Sequence, residues 1–143
     1  MSGDPRLQLL DAIADAVAQA TGMPVQRDRL DPLAEHELPA VLMHDGSERT
    51  VEVANAPAVL WALRWEVRPR IEVVLRGQDQ AALRQQLATV VGQIIEAVRE
   101  NPTVNSLLVR NSTPDCSVTP ARIDGATMSR GSIVEFGFTI ERS

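Results

Sequence analysis

Residues Trp61 to Leu75 constrain this chain more than any other stretch. Every odd position is apolar (Trp61, Leu63, Trp65, Val67, Pro69, Ile71, Val73, Leu75), and most even positions are charged (Arg64, Glu66, Arg68, Arg70, Glu72). Alternation with period two marks a β-strand with one face in a core and the other in water. At about 3.3 Å per residue the strand would run about 50 Å, longer than most. Pro69 has no N–H for a ladder, which predicts a bulge, a bend or an edge there. Both tryptophans fall on the apolar side and are expected in the core.

The flanking sequence supplies cover for that face. Asp4-Pro5 pairs a capping acceptor with proline at the first helical position. Leu7, Leu10, Ile13, Ala14 and Val17 follow at helical spacing, with Asp11 and Asp15 on the opposite, solvated face. Gly22 suits a left-handed helix end. A second helix of about 22 residues, roughly 33 Å long, is predicted from the cap Asp79 to Asn101-Pro102. Its stripe is Leu83, Leu87, Val90, Val91, Ile94, Ile95 and Val98, and Gly92 within it suggests close packing against a strand.

Shorter strands are read at Val25–Arg29, at Pro39–Met43 and Thr50–Val53 as a hairpin around Asp45-Gly46, at Leu107–Arg110, and at Val118–Ile123. Asn55-Ala56-Pro57 breaks the pattern before the long strand. Asn111 to Gly131 is rich in Ser, Thr, Pro, Asp and Gly and reads as a long, functional or mobile loop. The closing segment alternates Val134, Phe136, Phe138 and Ile140 with polar residues, and is expected to pair with the long strand or its neighbour. The expected fold class is α+β, a single mostly antiparallel sheet with two amphipathic helices packed on one face. The whole of 1–143 is expected to form one domain.

The formal net charge of −5 opposes a chain-wide nucleic-acid footprint. All 14 basic residues are arginine, a pattern that GC-rich coding bias also produces. The single Cys116 excludes an internal disulfide and a multi-cysteine metal site. The first residues do not open a signal peptide, and no apolar run approaches membrane-spanning length.

No catalytic constellation emerges. His36 and His44 lack metal-ligand spacing, and Cys116 lacks a nucleophile signature. Glu66 and Glu72 stand roughly 20 Å apart by strand rise, too far to act on one bond. Expectations are therefore no enzyme activity, no metal and no cofactor. The charged side of the long strand is read as a subunit interface, where arginine is enriched and complementary charges set register.

Taken in order, the chain resembles the tail-terminator (tail-completion) proteins of long-tailed bacteriophages. The resemblance rests on the helix Leu7 to Ala20, Leu38-Pro39-Ala40-Val41 opening a strand, and the strand Trp61 to Leu75. It continues through the helix Ala82 to Glu100, the junction Asn101-Pro102-Thr103-Val104-Asn105-Ser106-Leu107, and the strand Ile133 to Ile140. It implies a structural virion protein that assembles as a hexameric ring on the finished tail tube. Such a ring stops tube polymerisation and presents a surface to the head-completion connector protein.

The resemblance further implies partners in the tail tube protein and the connector. DNA would slide through the ring without specific binding, and about six copies would carry roughly −30 in charge. The expected place is the head-proximal tail of the virion, after synthesis in a bacterial cytoplasm and with no membrane involved. Ring contacts are expected from Arg64, Glu66, Arg68, Arg70 and Glu72, and docking to tube or connector from Asp115, Arg122, Asp124 and Arg130. The competing readings are another head–tail connector or minor tail protein, and a small-molecule enzyme or binding domain.

Overall fold

The computed structural model describes residues 4–31, 33–51, 64–110, 112–121 and 129–141. Among them run α1 (Pro5–Thr21), β1 (Val25–Arg27), a single 3₁₀ turn (Glu35–Glu37), β2 (Ala40–Val51) and β3 (Arg64–Arg76). Then follow α2 (Gln80–Glu100), α3 (Pro102–Leu107), β4 (Asp115–Ala121) and β5 (Ser129–Glu141). The strands form one sheet in the order β1-β2-β3-β5-β4. Only β1 with β2 is parallel; the other pairs are antiparallel. This is the α+β fold expected, with β3 at the centre of the sheet and paired to the closing strand.

The helix ends follow the caps. Asp4 accepts from the Arg6 N–H at 2.9 Å, and Gly22 takes φ 68° while donating to the Ala18 carbonyl. Asp79 likewise accepts from the Ala81 N–H at 3.0 Å. The two long helices cover the face of the sheet that carries Val67, Ile71, Val73, Val134, Phe136, Phe138 and Ile140, all buried. Leu9, Leu10, Ile13 and Val17 fill the core from α1; Leu83, Leu87, Val91, Ile94 and Val98 fill it from α2. Leu7 points outward instead and is 57% exposed, because Leu9 and Leu10 take the inward arc of the first turns. Gly92 is exposed, and a Cβ there would meet nothing within 4 Å, so it marks no close contact with a strand.

Trp65 is half-buried at the core's margin, with the Arg6 guanidinium 4.0 Å above its ring. Trp61, like residues 55–57, lies outside the described residues. The Asp45-Gly46 pair makes a bulge inside the continuous strand β2, and the hairpin expected there is absent. Gly46 adopts φ 71°, and a Cβ on it would stand 1.8 Å from the Arg68 carbonyl oxygen. The bulge lies opposite Pro69, where the pairing of β3 with both neighbours is interrupted. It also switches the faces of β2. His44 shares the outer face with Arg70 before it, and Ser47 and Arg49 share it with Arg68 and Glu66 after it.

Two further expectations are corrected. Residues 107–110 form no strand, only a bridge from Leu108 to Ile140, because α3 occupies 102–107. Much of 111–131 is regular: β4 spans Asp115–Ala121, and β5 already begins at Ser129.

Candidate interaction surface

The outer face of the sheet, away from the helices, is built by the even positions of β3. One end of it is not wet. Val74 packs with Leu38, Ala40, Leu42 and Leu33 in a second small core, under the strap of residues that precedes β2. The strap is pinned by Arg29, which donates to both carboxylate oxygens of Glu37, the longer bond being 2.8 Å. Glu37 also accepts from the Ala34 N–H at 3.1 Å. Arg29 and then the Ala34 amide hold the Glu37 carboxyl far below its usual range, at about 2.

Beyond the strap the face is charged. Arg49 bonds Glu66 at 3.0 Å, Glu66 bonds Arg68 at 2.9 Å, and Arg68 grips both oxygens of Asp115 at 3.2 and 3.1 Å. The network pulls the Glu66 carboxyl below its ordinary value, through Arg49 first and Arg68 second. It raises Arg68, through Glu66 and then Asp115.

The next cross-strand row is His44, Arg70 and Glu135. It lines a shallow cup with Asp28 and Asp45, and Arg70, exposed, has no ion-pair partner among the described residues. Glu72 sits half-buried between Leu42 and Ile133, and Arg64, half-buried, ends the row series opposite Glu141. The five residues expected at a subunit interface therefore do share one face. Glu66 and Arg68 are already engaged within the chain. Arg64 and Arg70 make no ion pair among the described residues; Arg64 is half-buried, its Nε without a hydrogen-bond partner, while Arg70 is exposed and free to meet another molecule.

The residues expected to dock on tube or connector are scattered. Asp115 stands on the outer face of β4, opposite Gly137. Arg130 stands on β5 opposite Leu75, on the helix-side face. Seven residues of β5 separate the two positions, roughly 23 Å by strand rise. Arg122 and Asp124 lie outside the described residues.

On the helix side, an apolar cavity of about 140 Å³ opens between the end of α2, α3 and the β4–β5 edge. Ile95, Val98, Phe136 and Phe138 are among the residues that line it, and so are Arg99, Asp115 and Cys116. Ligand pockets for small molecules run from roughly 300 Å³ and gather convergent polar groups, so this one suits a single side chain better. Partial burial, and then the charge of Asp115, push the Cys116 thiol above its usual pKa, away from nucleophile chemistry. Sequence reasoning missed this cavity, since its walls come from four separate elements and no local pattern announces it.

Among the described residues no three of His, Cys, Asp and Glu stand close enough to hold a metal ion. No helix among them is long and apolar enough to cross a membrane. No family model matches the chain, and no curated protein matches it. A chain in the solved virion of a native gene transfer agent particle is similar in structure, with a TM-score of 0.46 and 16% identity over 96% of this chain and 92% of that one.

Proposed function

We propose that this protein is a structural virion subunit, a tail terminator that closes the head-proximal end of a finished tail tube as a ring of six copies. The observation that carries the reading is the sheet's charged outer face. The helices leave it uncovered, and Arg70 on it has no partner among the described residues. An arginine held on a stiff central strand beside fixed charges is suited to an interface that needs one register. Support also comes from element order: α1, β2 opening after Leu38-Pro39, β3, α2, the Asn101–Leu107 junction and β5 follow the layout on which the tail-terminator resemblance rests.

In this reading Arg64, Glu66, Arg68, Arg70 and Glu72 face sister copies, with Glu66 and Arg68 as the rigid frame and Arg70 as the contact. Asp115 and Arg130, with Arg122 and Asp124, serve docking to tube protein or connector. A head-to-tail contact that closes after six copies ends growth when one rim matches the tube end and the other does not.

Deleting the gene tests the function. Tails of runaway length that shorten to the normal length on complementation are expected, and tails of normal length without the gene end the reading. Native mass supplies the second arm: six copies of 15.6 kDa give roughly 94 kDa for a closed ring.

A further inference from the structure

We infer that Leu30 of one copy inserts into the apolar cavity between α2, α3 and the β4–β5 edge of the next copy, joining copies head to tail. The inference rests on the ring reading above and adds a pair of surfaces to it. Leu30 is 98% exposed, whereas the other large exposed apolar residues among those described, Leu7 and Val118, are 57% and 48% exposed. Nor does it hang on loose chain. Its neighbour Arg29 is clamped to Glu37 and donates from Nε to the Asp31 carbonyl at 3.0 Å, and Asp28 before it holds φ 49°. A fully exposed leucine fixed from both sides is a knob with its ordering cost already met.

The cavity is its counterpart in size and chemistry. An apolar cavity of about 150 Å³ accepts a benzene-sized group, and an isobutyl side chain is smaller. The charge matches as well. Arg99 lines the cavity and makes no ion pair among the described residues, whereas Asp115, which also lines it, is already held by Arg68, so the uncompensated charge at the socket is positive. Asp31, beside the knob, makes no ion pair among the described residues, although Arg29 feels its charge. Leu30 follows β1, at one edge of the sheet, and the cavity adjoins β4, at the other. Four strand spacings separate those edges, roughly 19 Å, so no copy can fill its own socket. A knob on one edge and a socket on the other make a heterologous contact, which yields a closed ring or an open filament and never a two-fold dimer. The occupant is thus a second copy of this chain.

The full-length Leu30→Cys variant tests the contact, because Cys116, an exposed free thiol, already lines the socket. Mild oxidation followed by a non-reducing gel should give a ladder of covalent multimers extending to the closed ring. The ladder should vanish when Cys116→Ser is added, and Leu7→Cys with Cys116 intact should give none. A disulfide within one copy is excluded by the distance across the sheet. Product that persists in the Cys116→Ser background, or an equal ladder from Leu7→Cys, overturns the inference. Leu30→Asp should weaken association at least tenfold by sedimentation with an unchanged melting curve, and unchanged association also overturns it. If the wild-type chain forms six-copy rings and Leu30→Cys gives no ladder, the socket is wrong and the ring stands. If the wild-type chain stays monomeric at every concentration and tails are normal without the gene, the function reading fails as well.

Discussion

Arg68 and Asp115 belong to strands that are not neighbours, yet the guanidinium of one holds both carboxylate oxygens of the other at 3.2 and 3.1 Å. The strand between them, β5, contributes Gly137 at the crossing point. With no side chain there, the ion pair lies flat across the sheet.

Gly137→Ala would place a Cβ 2.6 Å from an Asp115 carboxylate oxygen. That oxygen is the far end of a side chain 61% exposed, free to swing into water. The ion pair breaks while the fold stands, and an exposed pair contributes under about 1 kcal/mol. Urea unfolding should therefore show a loss below about 1 kcal/mol. A double-mutant cycle between Arg68→Ala and Asp115→Ala should show coupling that fades with salt and is absent in the Gly137→Ala background.

Gly46→Ala is the contrasting case. Here the added Cβ meets the Arg68 carbonyl oxygen at 1.8 Å, and the backbone holds φ 71°. Neither the backbone of a central strand nor a left-handed alanine gives way cheaply. The expected loss exceeds about 2 kcal/mol, measured by the same unfolding experiment, with Gly137→Ala as the mild reference.

These glycines also mark where the sequence was legible and where it was not. Asp-Gly suits a hairpin turn and a bulge alike, because both place the glycine at positive φ; only the partner strand decides, and it is distant in sequence. The long alternating strand and both helices were readable because each buries one face, which writes a period into the sequence. β4 wrote none. Asp115 to Pro120 are exposed on both faces, so a Ser/Thr/Pro-rich strand held chiefly by its ladder to β5 shows in the sequence only as the short strand at Val118–Ile123, begun three residues late inside an apparent loop.

α3 was within reach. Asn101-Pro102 repeats the capping logic of Asp4-Pro5, and Asn101 accepts from the Val104 N–H at 3.0 Å, ending one helix while starting the next. The small core under the strap also had a signal. Val73-Val74-Leu75 interrupts the alternation with an apolar even position, as burial on both faces requires. The charged face was legible as a set of residues; which of its arginines is free was not, since Asp115 reaches Arg68 from 47 residues away.

The strap should loosen in acid. The Glu37 carboxyl is held at about 2 in the folded chain against an ordinary 4.5. A depressed carboxyl contributes stability that is full above the unfolded value and is lost as pH falls through the folded one. The stabilisation therefore drains away between about pH 4.5 and pH 2. The protection factors of amides in the Ala40 and Leu42 region, exchange rates divided out by their intrinsic pH dependence, should fall down that range in the wild-type chain. Glu37→Gln should show lower protection at neutral pH, and its protection should change little across the window.

Substitution at Arg70 separates folding from assembly in a way that Arg68 cannot. Arg68→Ala removes bonds to Glu66 and Asp115 inside the chain, so a lost ring would have two explanations. Arg70 is exposed, with His44 on one side and Glu135 on the other in the pairing register, and makes no ion pair among the described residues. Arg70→Ala should leave the melting curve of the subunit within about 0.5 kcal/mol of wild type. Arg70→Glu sets like charges directly opposite one another, against Glu135, and should cost up to about 1 kcal/mol. Both variants should fold, and both should fail to reach the native mass of the wild-type assembly, the reversed charge more completely. Rings of wild-type mass from Arg70→Glu would remove the charged face from the subunit contact and leave the sheet edges to make it.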